Sequence, residues 1–507
     1  MENVEATSTG HVLIFPQPAQ GHIKPMLNLA ELLCLSNIQV TFLVTTQIHH
    51  RLVNYTDTIA RFARYTGFGF KVIPDGPPPK LSPNDDHKKL MNDMVQGLAV
   101  NAKPVIEELL LHDNNSDTTT RESSRVTCLI ADGWYSFAYD VANEAGVPVM
   151  LFRCASACCL WAYFCAPRLI DAGQVPFKDE DLDELVQNVP GMDTFLRYRD
   201  LPSFCRTKGK LPCLGLKYTY AIEFERTKAA YGLILNTFED LEGPVLSFLR
   251  SECPRVYSIG PIDALLKHRL LQQSATLSNP CSLWEVEDQS CLSWLDQKPP
   301  KSVVYVGFGS LAVFKRDQLE EIWEGLVQSN KYFLWVIRPD LITSKDGGFQ
   351  APEALLQGTK ERGCVVSWAP QEAVLAHSAM GGFLTHSGWN STLESITAGV
   401  PMICLPYFAD QQINSRYVGE VWKVGLDMKD IYDRNVVVKM VNDLLDGKKD
   451  EIQKSMAQMS DAAKRSVTEG GSSYCNLDSL IQDIKMMSLK GEHSVQGPMD
   501  GEALLPN

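Results

Sequence analysis

Two stretches of the chain open in the same way, with a short β-branched strand, a turn that contains glycine and an amphipathic helix. The first strand covers residues 11–15, and the helix after it repeats apolar side chains at helical spacing from Met26 to Leu33. The second strand covers residues 302–308, and the helix that follows has the same spacing. Repeated β–α units of this kind build doubly wound parallel sheets. We therefore predict an α/β protein with two Rossmann-like halves.

Further strands are predicted in both halves, at residues 40–44, 126–131 (ending on Asp132), 333–337, 365–368, 382–386 and 400–405. We predict a first half over residues 1–255, a linker with a long loop over 256–300, a second half over 301–466, a C-terminal helix packing back on the first half over 467–488, and a disordered tail over 489–507. The linker prediction rests on Ser and Pro content with weak periodicity, and the tail prediction on Gly and Pro without periodicity.

The charge balance excludes several classes of protein. Lys and Arg number 47 against 61 Asp and Glu, so the formal net charge is −14. This sign argues against a protein that is steered onto nucleic acid or anionic lipid.

No run of about 18 apolar residues predicts a membrane span, and the N-terminus does not resemble a signal peptide. The 14 cysteines include no CxxC pair, which is typical of reduced thiols, so we expect a soluble cytoplasmic protein.

The segment 368–411 contains the most specific pattern in the chain. Within it, residues 385–391 read Thr-His-Ser-Gly-Trp-Asn-Ser and connect a predicted strand to a predicted helix. The backbone N–H groups and the positive helix end at such a turn favour an anion, and His386, Asn390 and Ser391 add side-chain donors. Strand–glycine–helix turns are also common in α/β folds. The turn alone is therefore also consistent with an ordinary connection that binds no anion.

The same segment closely resembles the signature box of plant secondary-product UDP-glycosyltransferases, and the resemblance runs from about residue 11 to residue 484. It implies the GT-B fold, in which two facing Rossmann-like domains hold the active site in the cleft between them. It also implies UDP-glucose as co-substrate, with no other cofactor and no metal. The matching positions assign nucleoside contacts to Trp368 and Gln371, the ribose contact to Glu394, and phosphate contacts to His386, Asn390 and Ser391. They assign sugar contacts to Trp389, Asp410 and Gln411, a contact with phosphate or sugar to Ser310, and donor binding to Ala369.

Several of these residues also have a purely structural interpretation. Ser391 and Glu394 have the spacing of a capping box, in which the carboxylate reaches back to the helix start. Trp368 and Trp389 fit a hydrophobic core, and Ser310 fits a helix cap. The length of the matching box favours the donor site over these alternatives.

A second group of candidate site residues is predicted in the first half. It lies at the carboxyl ends of the parallel strands, which is where open α/β sheets bind ligands. His22 lies at the turn into the first helix, and Asp132 ends a predicted strand. An imidazole suits a general base near neutral pH, and a carboxylate beside it would fix its tautomer. A capped surface histidine and a turn aspartate remain the structural alternatives. The resemblance implies that His22 is the base and Asp132 its partner.

Acceptor contacts are expected from aromatic and polar residues of the first half, namely Trp134, Phe137, Cys154, Ser156, Trp161 and Tyr198. The chain departs from the family pattern at residues 152–154, where Cys154 replaces a common Thr whose hydroxyl reaches the sugar. Cys is the poorer hydrogen-bonding residue, so that donor contact is lost or is replaced by Ser156. Arg153 fits either a partner for an acceptor carboxylate or a structural ion pair.

The sequence thus predicts an inverting O-glucosyltransferase that acts on a hydroxyl or carboxyl group of a small hydrophobic plant metabolite. Residues 60–65 and 73–76 resemble the branch that acts on iridoids such as 7-deoxyloganetic acid. A phenolic or another terpenoid acceptor remains open, as does a sugar-nucleotide-binding protein without turnover. A dehydrogenase is disfavoured because the first strand is not followed by Gly-x-Gly-x-x-Gly, and a hydrolase because no Gly-x-Ser-x-Gly elbow occurs.

Overall fold

The structure is a computed structural model that describes residues 10–76, 87–111, 125–177, 181–202, 205, 223–273, 287–338 and 353–493. The described strands are β1 His11–Phe15, β2 Gln39–Thr45, β3 Phe68–Ile73, β4 Cys128–Asp132, β5 Val149–Arg153, β6 Gly232–Leu235, β7 Val256–Ser258, β8 Val303–Gly307, β9 Tyr332–Val336, β10 Gly363–Val366, β11 Met380–Thr385, β12 Met402–Cys404 and β13 Gly425–Asp427.

The described helices are α1 Gln20–Leu35, α2 Thr46–Tyr55, α3 Thr58–Phe62, α4 His87–Leu111, α5 Ser136–Glu144, α6 Ala157–Asp171, α7 Glu239–Glu252, α8 Ile262–Gln272, α9 Ser290–Leu295, α10 Arg316–Gln328, α11 Glu353–Arg362, α12 Gln371–Ala376, α13 Trp389–Ala398, α14 Gln411–Arg416, α15 Arg434–Asn442, α16 Lys449–Ser466 and α17 Ser472–His493. A 3-10 turn covers Tyr198–Asp200, and π-helical segments cover Tyr417–Val421 and Asp443–Gly447. None of the helices in these described ranges has the length and apolar character needed to cross a membrane.

The strands form two separate parallel sheets. The first has seven strands in the order β3-β2-β1-β4-β5-β6-β7, and the second has six in the order β10-β9-β8-β11-β12-β13. In each sheet the order reverses beside the first strand of that half, β1 or β8, which is the arrangement of a doubly wound fold. The predicted pair of Rossmann-like halves is therefore present, and we call them the first half and the second half.

Both faces of the first sheet are covered, which explains why its strands are continuous apolar runs. Along β1, Leu13 and Phe15 enter one hydrophobic core, whereas Val12 and Ile14 enter the other. The first of these cores continues into the second half, where it includes Trp389. Because strands covered on both faces need apolar side chains on both, β1 lacks the polar alternation of a half-exposed strand.

The predicted linker over 256–300 begins with regular structure of the first half. Strand β7 is the last strand of the first sheet, and α8 packs against α1. Leu265, Leu266 and Leu270 of α8 are buried there. The prediction of a linker and loop was wrong for this part, because the apolar residues of α8 do not keep to one face: Leu271 is 62% exposed beside the buried Leu270. Residues 274–286 lie outside the described ranges.

The C-terminal helix returns to the first half, as its residues Leu477, Leu480 and Ile484 are buried in the first-half core. Asn476 Nδ2 donates to the Ser258 carbonyl at 3.1 Å, and Tyr257 donates to Asp483. The helix runs from Ser472 to His493, so it starts later than predicted and continues into the predicted tail. The remaining tail residues, 494–507, lie outside the described ranges.

Candidate active site

A histidine and an aspartate from different elements meet at the carboxyl edge of the first sheet. His22 lies in the first turn of α1, and Asp132 is the last residue of β4. His22 Nδ1 is 2.6 Å from Asp132 Oδ2, and Asp132 Oδ1 accepts from the Trp134 N–H at 3.1 Å. The aspartate side chain is 1% exposed and the histidine 21%. With its Nδ1 proton directed to the carboxylate, the imidazole presents Nε2 as its basic nitrogen.

The surroundings of this dyad set its protonation. Burial lowers the pKa of His22, but the Asp132 carboxylate and then Asp410 outweigh burial, so the pKa is raised above its ordinary value. Burial raises the pKa of Asp132, but His22 and the Trp134 N–H outweigh it, so the pKa is lowered. Asp132 is therefore ionised at neutral pH, and His22 is a stronger base than a buried histidine without a partner.

Asp410 of the second half lies close enough to His22 to affect its charge. Burial raises the pKa of Asp410 to about 6. Asn414 Nδ2 donates to Asp410 Oδ2 at 2.8 Å and to the Ser387 carbonyl at 2.9 Å. Asn414 Oδ1 in turn accepts from Ser156 Oγ at 2.7 Å. Asn414 thus ties Asp410 to the first half.

The turn that the sequence predicts to bind an anion connects β11 to α13 on the second half, and we call it the cradle. Gly388 precedes the first turn of α13, and no side chain caps that end, so its N–H groups remain for a ligand. The His386 ring packs against Gly388 and against Gly309, where a Cβ at either position would collide with the imidazole. Burial and then Arg338 lower the pKa of His386 to about 4. His386 is therefore a neutral hydrogen-bonding group in the unliganded cradle.

Residues predicted to contact the nucleoside cluster beside the cradle. Gln371 Nε2 donates to Glu394 Oε2 at 2.6 Å and to Ser391 Oγ at 3.1 Å, and Tyr305 donates to Gln371 Oε1 at 3.3 Å. Glu394 also accepts from Lys24 of the first half, with Nζ and Oε1 2.7 Å apart. Because α13 begins at Trp389, Ser391 lies inside the helix, and the capping-box alternative does not hold.

Three further residues of the box hold structure with their side chains. Trp389 is 3% exposed and donates from Nε1 to the Asn236 carbonyl of the first half at 2.8 Å. Asn390 Nδ2 donates to the Gly21 carbonyl at 2.9 Å. Gln411 Oε1 accepts from the N–H groups of residues 407 and 408, at 2.8 and 3.0 Å. The first two contacts join the halves next to His22, so the indole of Trp389 packs at this junction. A contact between Trp389 and the sugar stays a prediction.

The other predicted donor residues line the same region. Trp368 is half-buried and its carbonyl accepts from the Asp288 N–H at 3.0 Å, whereas Ala369 is buried. Ser310 lies in the turn after β8 and is half-buried, and its carbonyl accepts from Arg338 Nη1 at 2.7 Å. The Ser310 hydroxyl and the Trp368 ring remain compatible with donor binding.

A cavity opens in the first half beside the dyad. It is a narrow pocket lined by Trp134, Arg153, Leu160, Tyr163, Phe164, Glu223 and Phe224. Arg153 Nη2 lies 3.7 Å from Glu223 Oε2 and 3.4 Å from Thr227 Oγ1. These contacts favour the structural ion pair over an acceptor carboxylate as the partner of Arg153. The walls are aromatic and suit a hydrophobic molecule.

The remaining predicted acceptor residues have varied surroundings. Cys154 Sγ is 3.9 Å from Asp132 Oδ2, and the Ser156 hydroxyl caps α6 by accepting from the Cys159 N–H while bonding Asn414. Phe137 packs in the core at 5.9 Å from Phe15.

Trp161 stacks on Phe248 at 5.1 Å and donates to the Pro190 carbonyl, and Tyr198 packs against Phe177 at 5.2 Å. Of the six predicted residues, Trp134 lines the cavity, Cys154 lies at the dyad, and Phe137 and Trp161 are buried core residues.

Lys24 and Asn414 were not predicted as site residues. Lys24 follows His22 by two positions on a helix whose other residues there are largely buried, and Asn414 lies one turn after Asp410. A charged or amide side chain within a turn of a predicted site residue is the signal that could have identified both.

Comparisons with known proteins show which family the chain resembles. Residues 285–460 match the family model described as UDP-glucoronosyl and UDP-glucosyl transferase. The 7-deoxyloganetic acid glucosyltransferase of Catharanthus roseus is 51% identical over 96% of this chain and 100% of its own length. The 7-deoxyloganetin glucosyltransferase of the same plant is 39% identical over 94% of this chain and 96% of its own.

Among solved structures, UGT2 of Phytolacca americana, complexed with UDP-2fluoro-glucose and pterostilbene, matches with a TM-score of 0.72 at 28% identity. The match covers 94% of this chain and 99% of that one. The predicted GT-B arrangement of two Rossmann-like halves is thereby confirmed. By sequence, fold and family match, the chain belongs to the UDP-glucoronosyl and UDP-glucosyl transferase family and is a UDP-glycosyltransferase.

Proposed function

We propose that this enzyme transfers glucose from UDP-glucose to a hydroxyl or carboxyl group of a small hydrophobic plant metabolite, with inversion at the anomeric carbon. The observation that carries the proposal is the contact between the cradle and the residue that precedes His22 of the dyad. Asn390 of the cradle donates to the carbonyl of Gly21, the residue before His22. A sugar attached to a diphosphate in the cradle would therefore lie beside the imidazole.

In this mechanism His22 Nε2 removes the proton of the acceptor hydroxyl. The acceptor oxygen attacks the anomeric carbon from the side opposite UDP, and the bond from that carbon to the diphosphate oxygen breaks. Asp132 stabilises the imidazolium that forms and keeps the Nδ1 proton in place. Attack from the opposite face converts an α-linked donor into a β-glucoside.

The departing UDP gains negative charge, which the cradle can offset. The free N–H groups at the start of α13 and the positive end of its dipole face that position, and the Ser391 hydroxyl and the neutral His386 ring add hydrogen bonds. These groups support a mechanism without a divalent ion. We accordingly assign donor binding to the second half, residues 301–466, and acceptor binding to the first, residues 1–255.

We further propose an iridoid acid such as 7-deoxyloganetic acid as the acceptor. The support is the relative at 51% identity over nearly the full chain and the hydrophobic cavity lined by Trp134 and Phe164. The Phytolacca enzyme complexed with pterostilbene keeps phenolic acceptors as the competing class. All 12 cysteines of the described ranges are free thiols, which supports a cytoplasmic location.

The test is UDP release with mass detection of the product, using purified enzyme, UDP-glucose and a panel of iridoid acids, monoterpene alcohols and phenols. The variants are His22→Ala and, as a matched control, His50→Ala, which removes an exposed imidazole on α2. With a hydroxyl acceptor we expect His22→Ala to lose about 10²- to 10⁴-fold in rate and the control to be unchanged. A carboxylate acceptor is already ionised, so the loss should be smaller there.

Two results would contradict the proposal. Hexose transfer to a hydroxyl that persists undiminished in His22→Ala would exclude His22 as the base. Wild-type enzyme that binds no UDP would exclude the donor site.

A further inference from the structure

Lys24 is a first-half residue whose charged end lies in the second half's nucleoside site. Its Nζ is 2.6 Å from Glu372 Oε1, 2.7 Å from Glu394 Oε1 and 3.5 Å from Asp263 Oδ2. The side chain is 12% exposed. An ammonium has three N–H donors, and here three carboxylates surround it. Two of the three belong to the other half, so this contact exists only when the halves are together.

The charges around Glu394 require a cation. Glu372 and Asp263 lie close to it, and Glu287 adds a fourth carboxylate near Lys24. Within the described ranges, the only lysine or arginine nitrogen within 4.0 Å of Glu394 is that of Lys24. Lys267 pairs with the other oxygen of Glu372. Carboxylates this close cannot all be ionised without a positive partner.

Glu394 retains hydrogen-bond acceptor positions for a ligand while it accepts from Lys24 and Gln371. Its Oε1 accepts from Lys24 and its Oε2 accepts from Gln371. An ionised carboxylate offers about four acceptor positions, so one on each oxygen remains. Two vicinal hydroxyls could donate to these positions together. Lys24 and a ribose are therefore compatible partners of Glu394.

The charge of Glu394 depends on Lys24. Burial raises the pKa of Glu394, Lys24 opposes this, and Glu372 and Asp263 raise it further. Without the ammonium, the pKa rises further, and Glu394 holds its proton over a wider range of pH. A protonated carboxyl accepts hydroxyl protons more weakly than a carboxylate does.

We propose that Lys24 is a positioning residue for the donor nucleoside, which holds the Glu394 carboxylate in place to bind the ribose 2′- and 3′-hydroxyls. The inference rests on the proposed function, in which Glu394 binds the ribose. It adds that the first half supplies part of nucleotide affinity, so that full affinity for UDP requires the two halves to be together. His22 lies two residues from Lys24 on α1, so donor binding also fixes the helix that carries the base.

The experiment measures the dissociation constants of UDP and 2′-deoxy-UDP by calorimetry, for wild type, Lys24→Met and Lys24→Arg, at several pH values. Lys267→Met is the matched control, because Lys267 contacts Glu372 and its side chain is 52% exposed. We expect Lys24→Met to weaken UDP binding about tenfold near neutral pH. This loss of UDP affinity should become smaller as pH rises, because Glu394 then loses its proton even without the Lys24 ammonium. Lys24→Arg should keep the wild-type pH profile.

The 2′-deoxy ligand distinguishes this role from a structural one. It lacks one hydroxyl, so wild type should bind it more weakly than UDP, and Lys24→Met should narrow that difference. An equal loss for both ligands at every pH would overturn the proposal, since it would indicate that Lys24 only joins the halves. Tighter UDP binding in Lys24→Met would overturn it too, because Lys24 would then compete with ribose. Wild type without affinity for UDP would instead refute the proposed function itself.

Discussion

Replacing Asp132 with Asn removes the charge of the dyad and preserves its shape. The Asn oxygen can still accept from the Trp134 N–H, which bonds Asp132 Oδ1 in the wild type. The amide nitrogen then faces His22 Nδ1 and donates to it, so the ring proton moves to Nε2. In that tautomer Nε2, the nitrogen that faces the acceptor, already carries a proton. It has no lone pair left to accept the proton of the acceptor hydroxyl.

The size of the effect follows from the geometry of the lost contact. The hydrogen bond is 2.6 Å long, charge-assisted and almost fully buried on the aspartate side. Bonds to charged groups contribute about 1.5–3 kcal/mol, and general base catalysis by a positioned side chain contributes about 10²- to 10⁴-fold in rate. We expect kcat/KM for a hydroxyl acceptor to fall by about 10²-fold or more.

The pH profile gives an independent readout. His22 must be neutral to act as a base, so kcat/KM falls as pH drops through its pKa, which is raised above 6.5 in the wild type. In Asp132→Asn, burial and Arg153 still lower the pKa of His22, while Asp410 is left to oppose them. The acidic limb of the kcat/KM profile should therefore move to lower pH, and the plateau value of kcat/KM should fall.

Initial rates of UDP release from about pH 5 to pH 9 measure both quantities. Asp140→Asn is the control, since Asp140 lies on α5 and pairs with Arg226 at 2.7 Å. A limb that stays in place, or moves to higher pH, would refute the assignment of Asp132 as the group that raises the pKa of His22.

Three further substitutions test separate features. Arg61→Met leaves the fully buried Glu31 with fewer partners and should lower the free energy of unfolding by about 3 kcal/mol in urea titrations. Trp389→Phe removes the donor to the Asn236 carbonyl and should lower the unfolding free energy by about 1–3 kcal/mol with little change in UDP affinity. Cys154→Thr supplies a hydroxyl near Asp132 and should lower KM for UDP-glucose about threefold in initial-rate assays.

Each of these has a matched comparison. Arg316→Met removes an exposed ion pair on α10 and should change stability little, so an equal loss in both arginine variants would contradict the role of burial. A loss of UDP affinity without a loss of stability in Trp389→Phe would mean that the ring contacts the donor. Cys154→Ala separates the added hydroxyl from the removed thiol, and an equal KM for the Ala and Thr variants would contradict a sugar contact.

The sheets and their turns could be predicted from the sequence because they depend on local patterns. The strand around Leu13 is apolar on both faces, and the turn at residues 386–388 needs glycine beside a ring, so both leave a signal within a few residues. Helix α8 left a weak signal because its apolar residues lie on more than one face, with Leu271 exposed beside the buried Leu270.

Contacts between the halves could not be predicted in the same way. Lys24 and Glu394 are separated by 370 residues, and no local pattern indicates that they meet. The same holds for the Trp389 indole, since a tryptophan that packs between halves and one that contacts a sugar have the same spacing. Family resemblance assigned roles to the residues of the segment 368–411. It did not indicate which of their side chains bind the ligand and which join the two halves.

The return of α17 to the first half means that β1 and α17, at opposite ends of the described residues, both pack on the first half. A truncation before α17 would uncover the apolar surface of the first half that Leu477, Leu480 and Ile484 cover. A protein engineer who wishes to exchange second halves between relatives must therefore keep the last helix with the first half, although it follows the second half in the sequence.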